Sequence, residues 1–198
     1  MHSGQAHSEP IHIPNGELLY VRHFLDTNQS DRYLNLLLQS VPWKQESMHL
    51  YGKRVQFPRL TAWYGDPNTS YAFSGITLHP DAFTPTLLEI KHRVDILAGV
   101  KFNSVLLNRY RNGNDSISWH ADDEKELGRN PVIASLNLGA TRVFQLRHND
   151  TKEKIALELS HGSLLIMRGE LQHFWKHQIP KTKKAVGERL NLTFRVIH

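Results

Sequence analysis

The spacing of apolar residues changes character at Gly99. Before it, two stretches repeat their apolar positions at helical spacing. From about residue 30 to residue 41, Leu34, Leu37, Leu38 and Val41 share a face, and Pro42 stops the run. In the second stretch Thr84 is placed as N-cap and Pro85 as first helical residue; Leu87, Ile90, Val94 and Leu97 follow one face, and Gly99 ends it. After Gly99 come short β-prone runs at 104–110, 117–120, 132–138, 142–147, 154–159, 163–168, 174–178 and 190–197. The breaks between them carry turn residues, among them Asn112-Gly113-Asn114-Asp115, Asn130-Pro131 and His161-Gly162. Regular short strands without intervening helices predict a mainly β, α+β domain: an antiparallel barrel or two-sheet jelly roll, braced on one side by the two N-terminal helices. Between residues 43 and 80 the chain is rich in Gly and aromatics, which suits ordinary sheet packing or a surface on which bases stack.

The chain has 198 residues, enough for one domain with a real core. Residues 1–12 are polar and His-rich and are expected to form a disordered tail. Residues 13–198 form a single domain, with 13–100 supplying helices and hairpins and 101–198 the jelly roll. Cysteine is absent, which excludes disulfides and thiolate metal sites. The net charge of +5 suits a polyanionic partner such as nucleic acid, or simply a basic soluble protein. Thirteen histidines raise the expectation of a metal. No apolar run approaches the roughly 20 residues that span a bilayer, and no signal-peptide core is visible, so no membrane partner is expected.

Chemistry concentrates at the strand ends. In a strand, His120 and Asp122 of Ser118-Trp119-His120-Ala121-Asp122 point the same way. One imidazole and one carboxylate make two-thirds of a facial triad for non-haem iron. A third ligand would come from a later strand, where His148, His161, His173, His177 and His198 are the candidates. His173 and His177 have the same parity, so spacing leaves both open. From Arg189 to Val196 the chain alternates strictly: Leu190, Leu192, Phe194 and Val196 on one face, Arg189, Asn191, Thr193 and Arg195 on the other. A polar row facing solvent needs no explanation. Turned into a barrel, its two guanidiniums demand anions, and a small dicarboxylate would serve both. Asn108 and Tyr110 share a face on an earlier strand and can donate hydrogen bonds to carboxylate oxygens.

Taken in order, the stretches Asn108 to Gly113, His120 to Glu124, Trp175 to Pro180 and Arg189 to Arg195 resemble the AlkB family of iron(II)/2-oxoglutarate dioxygenases, which dealkylate nucleic acids. The resemblance runs upstream through Pro58–Asp66 and Tyr71–Gly75, so it covers the chain from about Tyr51 onward. It implies a double-stranded β-helix with the Arg row facing inward. It implies His177 as third ligand with His120 and Asp122. It places Arg189, Tyr110 and Asn191 on the distal carboxylate of 2-oxoglutarate, and Asn108 and Arg195 nearer the metal. O2 is then the second co-substrate, and a hydroxylated N-methyl group would leave as formaldehyde.

The same likeness, strongest to the duplex-repair branch, implies alkylated DNA as partner, with RNA as an alternative. Lesions of the 1-methyladenine and 3-methylcytosine type would be flipped into the pocket. Phe73 and His120 would sandwich the base, Tyr71 contact its backbone and Glu124 bond its edge; Arg59 would add a further substrate contact. Tyr51, at a hairpin tip, would fill the gap left in the stack. Lys181, Lys183 and Lys184 would grip phosphate. A monomer is expected, cytoplasmic or nucleoid-associated if bacterial and nuclear if eukaryotic. Ala121 stands where relatives often carry a longer polar residue, and Trp119 is bulky beside a ligand, so the preferred lesion stays open. Two other readings keep their place: the same chemistry on RNA or a protein side chain, and a non-enzymatic jelly roll whose histidines are structural or hold zinc.

Overall fold

The computed structural model describes residues 8–50, 53–73 and 76–198. In chain order the strands are β1 (Ser8–Ile13) and β2 (Gly16–Val21), then after helix α1 (Thr27–Ser40) β3 (Ser47–Leu50), β4 (Lys53–Gln56), β5 (Leu60–Gly65), β6 (Tyr71–Phe73), β7 (Ile76–Leu78) and β8 (Asp81–Ala82). Helix α2 (Pro85–Ala98) leads to β9 (Ser104–Tyr110), β10 (Ile117–His120), β11 (Ile133–Gly139), β12 (Arg142–His148), β13 (Lys154–Leu159) and β14 (Ser163–Arg168). A one-turn helix, α3 (Leu171–Phe174), precedes β15 (Trp175–Ile179) and β16 (Arg189–Arg195).

Two sheets make the jelly roll. The larger has the order β1-β2-β14-β11-β16-β9-β5-β8 and the smaller β10-β15-β12-β13. Both helices form where the apolar spacing places them. Asp26 caps α1 through a box with Gln29; Thr84 caps α2, and Gly99 closes it in the left-handed region at φ 68°. Tyr33 and Leu37 of α1 and Leu87, Ile90 and Val94 of α2 join Val105, Leu107, Leu190, Leu192 and Phe194 in one buried cluster. The helices therefore cover the outer face of the larger sheet. A second cluster, including Tyr110, Ile133, Phe144, Leu146, Leu165 and Trp175, fills the space between the sheets.

The strict alternation of β16 now has its reason. Its Leu and Phe row packs beneath the helices, and its Arg, Asn and Thr row faces the space between the sheets, where it is almost wholly buried. Core burial of three large apolar side chains, each contributing roughly 1.5–3 kcal/mol, fixes that register, because a one-residue slip would turn both guanidiniums toward the helices. The expected tail at residues 1–12 is corrected over Ser8–His12: these residues form β1, paired antiparallel with β2 from Ser8↔Val21 to Ile13↔Gly16. The turn residues Pro14-Asn15-Gly16 were the available signal for this hairpin, and the polar character of the segment obscured it.

Candidate active site

The smaller sheet brings two histidines together. His120 ends β10 and lies directly opposite His177 on β15 in the antiparallel register. Their ring centroids are 4.2 Å apart, and His120 Nε2 is 4.0 Å from Asp122 Oδ1. One ligand atom from each of His120, Asp122 and His177 lies within 4.8 Å of the others. Asp122 does not reach this position by strand parity, as its spacing suggests. The register breaks between Ile117 and His120, and the strand stops there. Instead the Asp122 backbone N–H donates to Gln172 Oε1 at 2.9 Å, and its Oδ1 accepts from an Arg195 guanidinium nitrogen at 2.7 Å.

Protonation follows from burial and neighbours. Burial alone would raise the Asp122 carboxyl, but Arg195, His177 and His120 together hold it below the ordinary carboxylate range. Burial, then the adjacent His120, push the His177 imidazole down to about 3. A carboxylate and a neutral imidazole are the forms a metal requires. His120 Nδ1 lies 2.8 Å from the Ser118 carbonyl, so that nitrogen donates there and Nε2 is the one that faces Asp122. His177 Nδ1 is buried without a hydrogen-bond partner. Two imidazoles and one carboxylate on one side of a cavity fit non-haem iron. The other downstream histidines lie elsewhere: His173 sits exposed on α3 against Asn130, His148 meets Asn15, His161 meets Asp31 and the Gly139 N–H, and exposed His198 donates its backbone N–H to the Glu126 carbonyl.

The same cavity is lined by Asn108, Tyr110, Arg189, Asn191 and Arg195. Arg189 is 1% exposed; one terminal nitrogen donates to Asn137 Oδ1 at 2.6 Å, while Nε and the other terminal nitrogen are buried without a partner. Its guanidinium lies 4.8 Å from the Tyr110 ring centroid. Burial lowers its pKa from the ordinary arginine value. A buried cation with two unpartnered nitrogens is costly unless an anion completes it, and a carboxylate matches the fork. Asn108 accepts from Arg59 Nε at 2.8 Å. Asn191 is already committed, donating to Ser135 Oγ at 2.7 Å and accepting from Thr193 Oγ1 at 2.9 Å, so it shapes the cavity wall.

Sequence reasoning missed Gln172, which nothing local marks, and Arg142. Arg142 shares its inward parity with Phe144 and Leu146, and that parity was the available signal. It donates to the carbonyls of Asn112 (3.2 Å), Asp115 (3.0 Å) and Pro180 (2.5 Å), tying the turn after β9 to the chain leaving β15. Arg142→Met should destabilise the protein by about 2–4 kcal/mol, since those carbonyls lose their donor, as read by urea unfolding. An unchanged midpoint would mean that water replaces the guanidinium without loss.

Among the residues expected to touch substrate, Tyr51 lies outside the described residues. The strands on either side of it in sequence, β3 and β4, pair antiparallel. For Tyr71 and Phe73 the structure describes the backbone alone, in β6. Arg59 stacks on Phe57 at 4.8 Å besides holding Asn108. Glu124 is half-buried with its Oε2 lacking a partner. Lys181, Lys183 and Lys184 are exposed on the loop after Pro180. That loop is pinned where Thr182 N–H donates to the Gly113 carbonyl at 2.9 Å, and a Cβ on Gly113 would collide with Thr182.

Residues 17–195 match the family model described as 2OG-Fe(II) oxygenase superfamily. The chain is 43% identical over 185 residues to human alpha-ketoglutarate-dependent dioxygenase alkB homolog 3, covering 88% of this chain and 64% of that one. It is 42% identical over 158 residues to human DNA oxidative demethylase ALKBH2, covering 76% and 60%. It thus spans under two-thirds of the length of these relatives. Among solved structures, OsALKBH1 superposes with a TM-score of 0.66 at 19% identity, covering 95% of this chain and all of that one. A Trichoplax adhaerens prolyl hydroxylase superposes at 0.61 with 15% identity, covering 92% and 84%. Both support the fold.

Proposed function

The chain belongs to the 2OG-Fe(II) oxygenase superfamily, and from that footing we propose that it oxidatively removes alkyl groups from ring nitrogens of damaged DNA bases. His120, Asp122 and His177 would hold Fe(II). Arg189 and Tyr110 would take the distal carboxylate of 2-oxoglutarate, with Asn191 shaping that end and Asn108 and Arg195 placed toward the metal. The observation that carries the reading is the pairing, in one cavity, of the His-Asp-His cluster with a buried guanidinium lacking its anion. Relatives named as DNA oxidative demethylases support the substrate class.

Bound iron and 2-oxoglutarate together supply an oxidant drawn from O2, with succinate and carbon dioxide as by-products. The protein's own residues supply order. Gln172 anchors the Asp122 backbone, and Arg195 holds the Asp122 carboxylate in place and ionised. The Ser118 carbonyl keeps the His120 Nδ1 proton off the metal-facing nitrogen. Phe144, its ring 5.1 Å from His177, gives the cavity an apolar wall on that side of the cluster. A flipped base would lie between His120 and Phe73, with Tyr71 at its backbone, Tyr51 filling the stack and Arg59 near the co-substrate. The unpartnered Oε2 of Glu124 would accept from the exocyclic amine of adenine or cytosine. Hydroxylation at an N-methyl carbon yields a group that falls apart to formaldehyde and the repaired base. Action as a monomer, in the nucleus or nucleoid, accords with that role.

The test is release of formaldehyde from oligonucleotides carrying 1-methyladenine or 3-methylcytosine, single- and double-stranded, DNA and RNA, with and without iron and 2-oxoglutarate. Formaldehyde is expected only with both present. Succinate without formaldehyde from any nucleic acid would point to another substrate class, and neither product to a non-enzymatic module. In the same preparations Lys181, Lys183 and Lys184 changed together to Ala should weaken DNA binding. The slope of log affinity against log salt should fall by roughly 2 to 3, about one increment for each phosphate left without its lysine. Equal slopes would remove the phosphate grip.

A further inference from the structure

β15, β12 and β13 are neighbours in the smaller sheet, and their registers set Lys176 opposite Arg147 and Arg147 opposite Lys154. Directly opposed side chains sit about 5 Å apart, so three cations form a row roughly 10 Å long. Like charges opposite one another destabilise a sheet, so such a row is costly without an anion. Among the described residues none of the three has an ion pair or a side-chain hydrogen bond. Arg147 instead lies 4.7 Å over the ring of half-buried Trp119, and Trp119, Arg147, Lys154, Gln145 and Gln178 line a cleft on this outer face. The same strands carry the metal cluster inward: Trp119 adjoins His120, and Lys176 adjoins His177. β10 is the edge strand of the sheet, so a strand that left the cavity past that edge would meet Trp119 and then Lys176, Arg147 and Lys154.

We propose, resting on the nucleic-acid reading above, that this outer cleft binds a single strand flanking the target nucleotide. The phosphates would lie on Lys176, Arg147 and Lys154, and a base would stack on the Trp119–Arg147 plane. A repeated anion matches the row of charge, and a planar cation–aromatic surface suits any base without reading its sequence. The cleft lies behind the metal cluster and is separate from the loop that carries Lys181, Lys183 and Lys184.

The full chain is titrated by fluorescence anisotropy with single-stranded oligonucleotides of about 20 and about 4 nucleotides, the latter too short to leave the cavity and round the edge. K154A/K176A should weaken binding of the long strand about tenfold at low salt, and its slope against log salt should fall by about 1.4, the value for two phosphates of a single strand. Binding and demethylation of the short strand should not change. K154R/K176R should bind the long strand as the parent does. The Ala variant should melt at the same or a higher temperature, since repulsion is relieved. Unchanged affinity and slope for the long strand would overturn the proposal. So would loss of binding to a polyglutamate peptide alone, which would make the cleft a site for an acidic protein. If the parent chain demethylates no nucleic acid yet the long strand shows the expected loss, the cleft stands and the substrate assignment falls.

Discussion

Asp122→Ala is expected to abolish 2-oxoglutarate turnover and to destabilise the metal-free protein by about 3–5 kcal/mol, the usual result of stripping one partner from a buried ion pair. Asp122 is 2% exposed, and its carboxylate takes the Arg195 guanidinium at 2.7 Å. Removing it leaves that guanidinium nearly buried beside two imidazoles, with Arg195 Nε already lacking a partner. The Arg195 side chain is 17% exposed, so some water reaches the orphan and the cost belongs toward the lower figure. Asp122→Ala combined with Arg195→Met should recover most of the stability and none of the turnover, separating the ion pair from the ligand role. Acid gives a second check. Because the folded-state pKa of Asp122 is held below its ordinary value, its stabilising contribution is complete above the ordinary carboxylate range and is lost as pH falls through the lowered value. Urea midpoints of parent and Asp122→Ala should therefore differ at neutral pH and converge in acid. Equal midpoints at pH 7 would show that Arg195 does not depend on this carboxylate.

The jelly roll was legible because its strands are short, alternate cleanly and are punctuated by Asn, Gly and Pro. β9, β10, β13 and β14 fall at the expected bounds, and α2 begins and ends at its capping residues Thr84 and Gly99. β1 and β2 were hidden by composition, since Ser8-Glu9-Pro10 and His12 suggest a solvated tail. What holds β1 is pairing with β2, which the polarity of a segment does not report.

At the site, the strict alternation of β16 announced a two-faced strand, but pattern alone left the direction of the Arg row open. The deciding fact is non-local: two helices from the first half of the chain cover the Leu and Phe face. For the third ligand, His173 and His177 share a parity only if both lie in one strand. A turn of helix over Leu171–Phe174 breaks that premise, leaving His173 outside and His177 facing His120. Gln172 and Arg142 act through partners far along the chain, so no window of sequence contains their role. The Lys176–Arg147–Lys154 row is equally invisible, because it exists only across three strands whose register is set by folding.

Arg189→Met should weaken 2-oxoglutarate binding by about 2–5 kcal/mol, the cost of losing one member of a buried charge-assisted pair. In affinity that is roughly 30-fold to several thousand-fold. The metal-free protein should respond the other way. Arg189 carries two buried nitrogens without partners, so a thioether of similar length removes an unmet charge, and the unfolding midpoint should hold or rise. Asn137 Oδ1 loses its 2.6 Å donor but keeps the Asn191 amide at 3.4 Å, which limits the penalty. Ligand linkage sharpens the contrast. At about 100 times its Kd, 2-oxoglutarate should stabilise the parent by about 2.7 kcal/mol, and the same concentration should stabilise Arg189→Met by no more than about 0.9 kcal/mol. Arg189→Lys should fall between them, because an ammonium supplies the charge without the fork. Should Arg189→Met bind 2-oxoglutarate as tightly as the parent, the anion that completes this guanidinium is something else. If instead the metal-free variant unfolds, the guanidinium is already satisfied by the protein, and the cavity was never waiting for a diacid.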